Sequence, residues 1–208
     1  GERLTAAFAV VVDEQTTRTI QALEQHMDLI ALTVAGRSAA DTPTRASASA
    51  LLGRHLDALP FVQSFAVLDA QGQIRFSSAT ASAEGQLEPE QLQRLQSRPA
   101  TDLWLDAPRR EGGQEPWLLR TARPILHNDG TLAGAVLATV RAAYFDALWR
   151  SLALESGSTL SLLRSDGTML MRSPIEDAAM GRNFSNGPLM RQHLPASTSG
   201  GFRVNSPV

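Results

Sequence analysis

The residues best suited to chemistry in this chain fall between Trp104 and Arg123. The segment Trp117-Leu-Leu-Arg120-Thr-Ala-Arg123-Pro124 has the composition of a β-strand. Strand alternation puts Trp117, Leu119, Thr121 and Arg123 on one face, with Leu118, Arg120 and Ala122 on the other. Arg123 is suited to gripping a carboxylate through two parallel hydrogen bonds, and Trp117 offers a flat apolar wall beside it. Trp104 and Asp106, from a short strand just upstream, would add a second wall and a carboxylate able to hold an amine. Trp104, Asp106, Trp117, Thr121 and Arg123 are therefore the candidate ligand-binding residues. The competing reading puts both tryptophans in the core and both arginines in solvent.

Other chemistry finds little support. The four histidines, at positions 26, 55, 127 and 193, stand in no His/Asp/Glu cluster of ligand spacing, so no metal is expected. The absence of cysteine excludes thiolate chemistry and disulfides. There is no Gly-x-Ser-x-Gly, no P-loop and no Gly-x-Gly-x-x-Gly, and the Gly/Ser stretch Ser197–Gly201 opens no recognisable helix. Carboxylates are numerous, yet nothing singles out a catalytic pair. Neither catalysis nor a cofactor is expected.

Composition narrows the partners. With 43% hydrophobic and 19% charged residues, the 208-residue chain has the make-up of a globular protein with a substantial core. A net charge of −2 gives no reason to expect nucleic acid. All 19 basic residues are arginine, a bias that reads as codon usage rather than as selection for phosphate binding. No run of about 20 apolar residues is present to span a membrane. The chain begins at Gly1, already close to a helical pattern, as expected of a piece cut from a larger protein, with any flanking membrane helix left outside it.

Residues 4 to about 37 read as one long helix. Ile20, Leu23, Met27, Ile30 and Val34 form a single apolar stripe, and Gly36 is a plausible stop. At about 1.5 Å per residue it would be roughly 50 Å long, more than one small domain needs. A second helix is predicted over Thr44–Leu59, closed by Pro60. Phe61–Leu68 and Gln73–Ser77 read as a hairpin, Ser78–Leu87 as a loop and Pro89–Gln96 as a helix. Leu103–Leu105 follows as a short strand and Ala107–Glu115 as a charged loop, in which Arg109-Arg110-Glu111 is most simply solvated. Trp117–Leu126 and Thr131–Val140 form a second hairpin on an Asn-Asp-Gly turn, and a helix follows over Ala142–Leu154.

A weak internal repeat organises these elements. Phe65-Ala-Val-Leu-Asp-Ala-Gln-Gly72-Gln-Ile-Arg-Phe-Ser-Ser78 lies over Leu160-Ser-Leu-Leu-Arg-Ser-Asp-Gly167-Thr-Met-Leu-Met-Arg-Ser173, and an amphipathic helix precedes each copy. Two hairpins can share turn chemistry by chance. Nevertheless, helix, hairpin, loop, helix and meander make a complete α+β unit, and its restart after Val140 points to a duplicated module.

Three segments carry a family likeness: Gly130-Thr-Leu-Ala-Gly134-Ala-Val-Leu, Tyr144-Phe145-Asp-Ala-Leu148, and the run from Leu160 through Asp166-Gly167 to Arg172-Ser173-Pro174. Together they resemble the centre of a double Cache sensor domain, a pair of PAS-like modules on a long helix. Met180-Gly181-Arg-Asn183-Phe184 resembles the family's next element, a glycine-containing turn before a short helix. The resemblance implies an α+β fold with antiparallel sheets. Residues 1–40 would be a spine helix, 41–141 a membrane-distal module and 142–208 a partial membrane-proximal module. About three further strands would be needed after the 160–173 hairpin, and the sequence ends at Phe202–Val208. The expectation there is strand exchange, oligomer contacts or local disorder.

The function so implied is extracytoplasmic sensing by a bacterial inner-membrane signalling protein, with this region periplasmic and anchored by helices outside the chain. By style, the Ser-Asp-Gly-x-x-x-x-Arg-Ser-Pro run is most similar to sensors of cyclic-di-GMP enzymes (GGDEF or GGDEF–EAL), then to those of histidine kinases, then to those of chemoreceptors. The Arg-x-Trp-Tyr signature of amino-acid-binding relatives is missing, which leaves a small organic acid, an amine or no ligand at all. Tyr144 and Phe145 would seal the junction between modules, and Gly167 would serve the second hairpin. A homodimer through the long helix is expected. An intracellular PAS-type regulator and a ligand-free structural spacer remain as alternatives.

Overall fold

The computed structural model describes residues 2–35, 44–78, 86–97, 103–110, 115–152 and 158–196, with side chains in the first helix from residue 7 onward. Gly36, most of the Ser78–Leu87 loop, Glu111, Leu154, Ser197–Gly201 and the terminal Phe202–Val208 lie outside the described residues.

Helix α1 spans Glu2–Ala35. Its buried residues Val12, Thr16, Leu23, Met27 and Ile30 recur at helical spacing along one side. Helix α2, Arg45–Asp57, starts where the Thr44 hydroxyl accepts the Ser47 amide at 3.2 Å, satisfying one of the free N–H groups of a first turn. Helix α3, Pro89–Gln96, has proline in its first turn, where the missing N–H costs nothing. The Gln91 side chain turns back to accept the Glu88 amide at 2.8 Å.

Strands β1 (Val62–Asp69), β2 (Ile74–Ser77), β3 (Trp104–Leu105), β4 (Leu118–Leu126) and β5 (Leu132–Arg141) form one antiparallel sheet in the order β2-β1-β5-β4-β3. β5 is central, and every residue from Gly134 to Val140 is buried. One face carries Ala66, Leu68, Ala122, Ala135 and Leu137, packed with Leu92 and Leu95 of α3 and with Trp104. The opposite face includes Val67 and lies under α1 and α2 around a cavity of about 20 Å³ bounded by Thr33, Val34, Ala48, Leu52 and Phe76. Helix α4 (Ala142–Ser151) follows β5 directly, and β6 (Leu160–Leu163) pairs with β7 (Met169–Ser173) in a two-stranded sheet. A five-residue π-helical turn, Leu189–His193, comes after the Gly181 turn.

The repeat is legible in the backbone hydrogen bonds. Asp69 N–H donates to Gln73 O at 2.9 Å and Gly72 N–H to Asp69 O at 3.0 Å; at the corresponding positions Arg164 donates to Thr168 at 2.9 Å and Gly167 to Arg164 at 2.8 Å. Both pairs slip register at the same place, between Val67 and Leu68 and between Leu162 and Leu163. Gly72 and Gly167 take φ of +78° and +88°, a region that glycine enters without steric cost. A Cβ on Gly167 would also stand 2.5 Å from the Ser185 nitrogen.

By compactness the chain divides into two units. One comprises Gly1–Arg18, Ala107–Trp117 and Ala142–Val208; the other comprises Thr19–Asp106 and Leu118–Arg141.

Candidate functional site

The unit containing the five-stranded sheet holds a buried charged network at the edge of the α3 face. In an antiparallel pair, residues directly opposite share a face. Trp104 stands opposite Ala122, and the Asp106 amide donates to Arg120 O at 2.9 Å, so Trp104, Asp106, Arg120 and Ala122 lie on the same side. Asp106 Oδ2 accepts from Arg120 Nη2 at 3.0 Å and from Gln91 Nε2 at 2.9 Å. Arg120 Nη1 also donates to the Gln86 carbonyl at 3.1 Å. The two charged side chains are each only 11% exposed. A buried carboxylate is tolerable only when charge and lone pairs are both answered, and here the guanidinium answers the first and the Gln91 amide helps with the second. Gln91 therefore has two tasks, holding the start of α3 through its carbonyl oxygen and Asp106 through its nitrogen.

Of the ligand-binding residues proposed from sequence, Trp104 and Asp106 sit in this network, with Trp104 buried in the cluster beneath α3. Thr121 and Arg123 point to the other face. Arg123 Nε is ion-paired with Asp28 of α1. Thr121 is fully buried, and its hydroxyl has no hydrogen-bond partner among the described residues.

Trp117 precedes β4 and belongs to the other unit. There its indole N–H donates to Asp177 Oδ1 at 2.8 Å, and the Arg110 guanidinium lies 4.8 Å over the ring while donating to Asp177 Oδ2 at 2.8 Å. The Trp117 hydrogen bond and then Arg110 hold the Asp177 carboxyl below the usual carboxylate range. Arg110, expected in a solvated loop, instead ties that loop to the turn after β7. In the same unit buried Phe145 meets Trp149 at 6.2 Å and Tyr144 at 5.8 Å between ring centroids, both edge-on. The Trp149 indole donates to Thr16 Oγ1 at 2.9 Å. These contacts fasten α4 to the first half of α1.

Arg120 and Gln91, which complete this network, are not among the residues proposed from the sequence. The alternation that separates Arg120 from Arg123 is correct, but it carries no sign for the side on which the short strand β3 presents Asp106. The pairing of Trp104 with Ala122 supplies that sign, and no local signal encodes it.

Among the described residues, no group of three His, Asp or Glu could hold a metal ion. None of the described helices is long and apolar enough to cross a membrane. A family model described as a histidine kinase sensor domain, dCache_1-like, matches residues 142–208. No curated protein matches the sequence. Among solved structures, the extracellular domain assigned to the histidine kinase rpHK1S-Z16 is similar at 25% identity and a TM-score of 0.76, over 95% of this chain and 80% of that one. The ligand-binding domain of the Pseudomonas aeruginosa PAO1 amino acid chemoreceptor PctC, solved with GABA, shares the fold at 17% identity and a TM-score of 0.63, over 89% and 79% of the two chains. That of the Pseudomonas fluorescens chemoreceptor CtaA, solved with L-isoleucine, does so at 18% and 0.61, over 88% and 72%. The duplicated hairpin and the long first helix match the fold of double Cache sensor domains, and residues 142–208 match that family's model.

Proposed function

We propose that this chain is the extracellular sensing region of a bacterial inner-membrane histidine kinase. In this reading a small molecule bearing both a carboxylate and an amine is held at Asp106, Arg120 and Gln91 beside Trp104. The observation that carries the reading is the buried Asp106–Arg120–Gln91 network on the α3 face. A ligand carboxylate can take over Arg120, and a ligand ammonium can take over Asp106. A ligand that carries both groups makes the two exchanges together, so neither buried charge is stranded in the bound state. The ligand domains of PctC and CtaA, solved with amino compounds, support that ligand class. The kinase description of the matched segment, together with rpHK1S-Z16, supports a kinase output over the cyclic-di-GMP output suggested by sequence style. Residues 41–141 are then the membrane-distal module, 142–208 the start of the proximal one, and residues 1–40 their spine.

A thermal-shift screen against small carboxylates, amines and amino acids tests the site. Ligand at a hundredfold excess over its Kd adds about 2.7 kcal/mol, on the order of 5–10 °C for a chain of this size. Asp106→Asn keeps the shape of the side chain and removes its charge, and should abolish the shift. If no compound moves the midpoint, or the variant responds like the wild type, the assignment fails.

The same reading places a second copy of the chain against α1. Val10, Val11, Leu29 and Leu32 are 66%, 43%, 52% and 69% exposed. At 3.6 residues per turn they share one sector of the helix, opposite the buried Leu23, Met27 and Ile30. Light scattering should find a dimer, and Leu29→Glu with Leu32→Glu should yield monomers. A monomeric wild type at tens of micromolar would remove the dimer from the proposal.

A further inference from the structure

His26 on α1 and His55 on α2 lie in the same unit as the charged network, but the network does not use them. Their Nδ1 atoms are 2.9 Å apart, and the rings meet edge-on at 88° with centroids 5.1 Å apart. Both side chains are half-buried. At that separation one nitrogen carries a hydrogen and the other offers its lone pair. A neutral pair satisfies this with one N–H and one bare nitrogen. A pair holding one extra proton also satisfies it, as N–H⁺···N. A pair holding two extra protons cannot, because two N–H groups and two positive charges then face each other.

The surroundings also oppose the second proton. Burial first, then His26, then Arg54 push His55 below the ordinary histidine range. Within a turn of the pair, α1 carries Glu24 and Asp28 and α2 carries Arg54 and Asp57, while β1 and β2, on which α2 packs, carry Asp69 and Arg75. Asp28 is engaged by Arg123, and Asp69 accepts the Gln71 and Gln73 amides of its own turn.

We propose that His26 and His55 form a proton-operated latch between α1 and α2, closed at neutral pH by their shared hydrogen bond and released in acid when both rings are charged. A folded-state value below the unfolded one means that the stability is fully present above the unfolded histidine pKa of about 6.5. It is lost as pH falls from there through the folded value. An extracellular region meets the acidity of the medium directly, so such a latch makes the α1–α2 contact respond to external pH. The latch does not depend on the ligand reading.

An NMR titration of the His55 ring in the 208-residue chain tests it. His55 should titrate below the ordinary histidine range in the wild type and move up toward it in His26→Asn, which keeps a hydrogen-bonding group near the Nδ1 position and cannot take a charge. The fall in unfolding midpoint between about pH 7.5 and about pH 5.5 should be roughly halved in that variant. If His55 titrates at or above the ordinary histidine value of about 6.5, or if His26→Asn changes neither quantity, there is no latch. Should the variant fail to fold, the wild-type titration alone decides.

Discussion

Gly134→Ala is expected to destabilise the protein by about 3 kcal/mol, at the upper end of what overpacking costs. Gly134 lies in the central strand, opposite Asp69 of β1 on one side and Ile125 of β4 on the other. A Cβ there would stand 2.2 Å from the Leu68 carbonyl oxygen. That oxygen is backbone within a strand paired on both sides, so it cannot swing away as the end of a side chain can. Relief requires β1 and β5 to part or one of them to bulge, and either loses ladder hydrogen bonds inside the most buried part of the sheet. The spacing Gly130-x-x-x-Gly134 thus has two different causes, a turn at Gly130 and close backbone approach at Gly134. Urea titration should show a lower midpoint at unchanged slope. Gly53→Ala is the control. Gly53 sits inside α2 with nothing within 4 Å of an added Cβ, and its replacement should gain about 0.5–1 kcal/mol. Equal effects from the two changes would mean that the Leu68–Gly134 approach does not constrain the sheet.

Arg120→Met should cost about 3 kcal/mol, and Asp106→Leu a similar amount, because each leaves an opposite charge buried with its main partner gone. The double replacement should cost less than either single change, since it removes both charges together. It would not be free. Gln91 loses its acceptor at 2.9 Å, and an unmet buried amide costs about 1–3 kcal/mol. A double-mutant cycle by denaturant unfolding should therefore return a coupling of about 2 kcal/mol or more. Additive losses would show that the two side chains do not depend on each other, and the site would lose its physical basis. The cycle is informative even before a ligand is known, because it tests the preorganisation on which ligand exchange would draw.

Much of this architecture was legible in the sequence because local rules act over a few residues. Thr44 and Pro89 mark the starts of α2 and α3 through capping and the tolerance of proline in a first turn. Gly72 and Gly167 mark the two hairpins, whose hydrogen bonds coincide position for position. The strands and helices fall within a few residues of the periodic patterns that predicted them. The helical turn at Leu189–His193 follows the Gly181 turn as the family resemblance implied, but its π form has no local signature.

What alternation could not convey was which face of the sheet meets which helix. β5 is apolar and buried on both sides, so its pattern has no polar face to act as a sign. β3 is two residues long, too short to declare its register. Composition alone makes Arg120 and Arg123 equivalent, yet one ends on Asp106 under α3 and the other on Asp28 of α1. Likewise His26 and His55, 29 positions apart, share no pattern until α1 and α2 pack side by side. By itself the sequence determined the elements, the duplicated hairpin and the kind of protein they build. Only the tertiary structure decided which charges meet, because that choice depends on strand register and on which face each helix covers, and neither is encoded within a few residues.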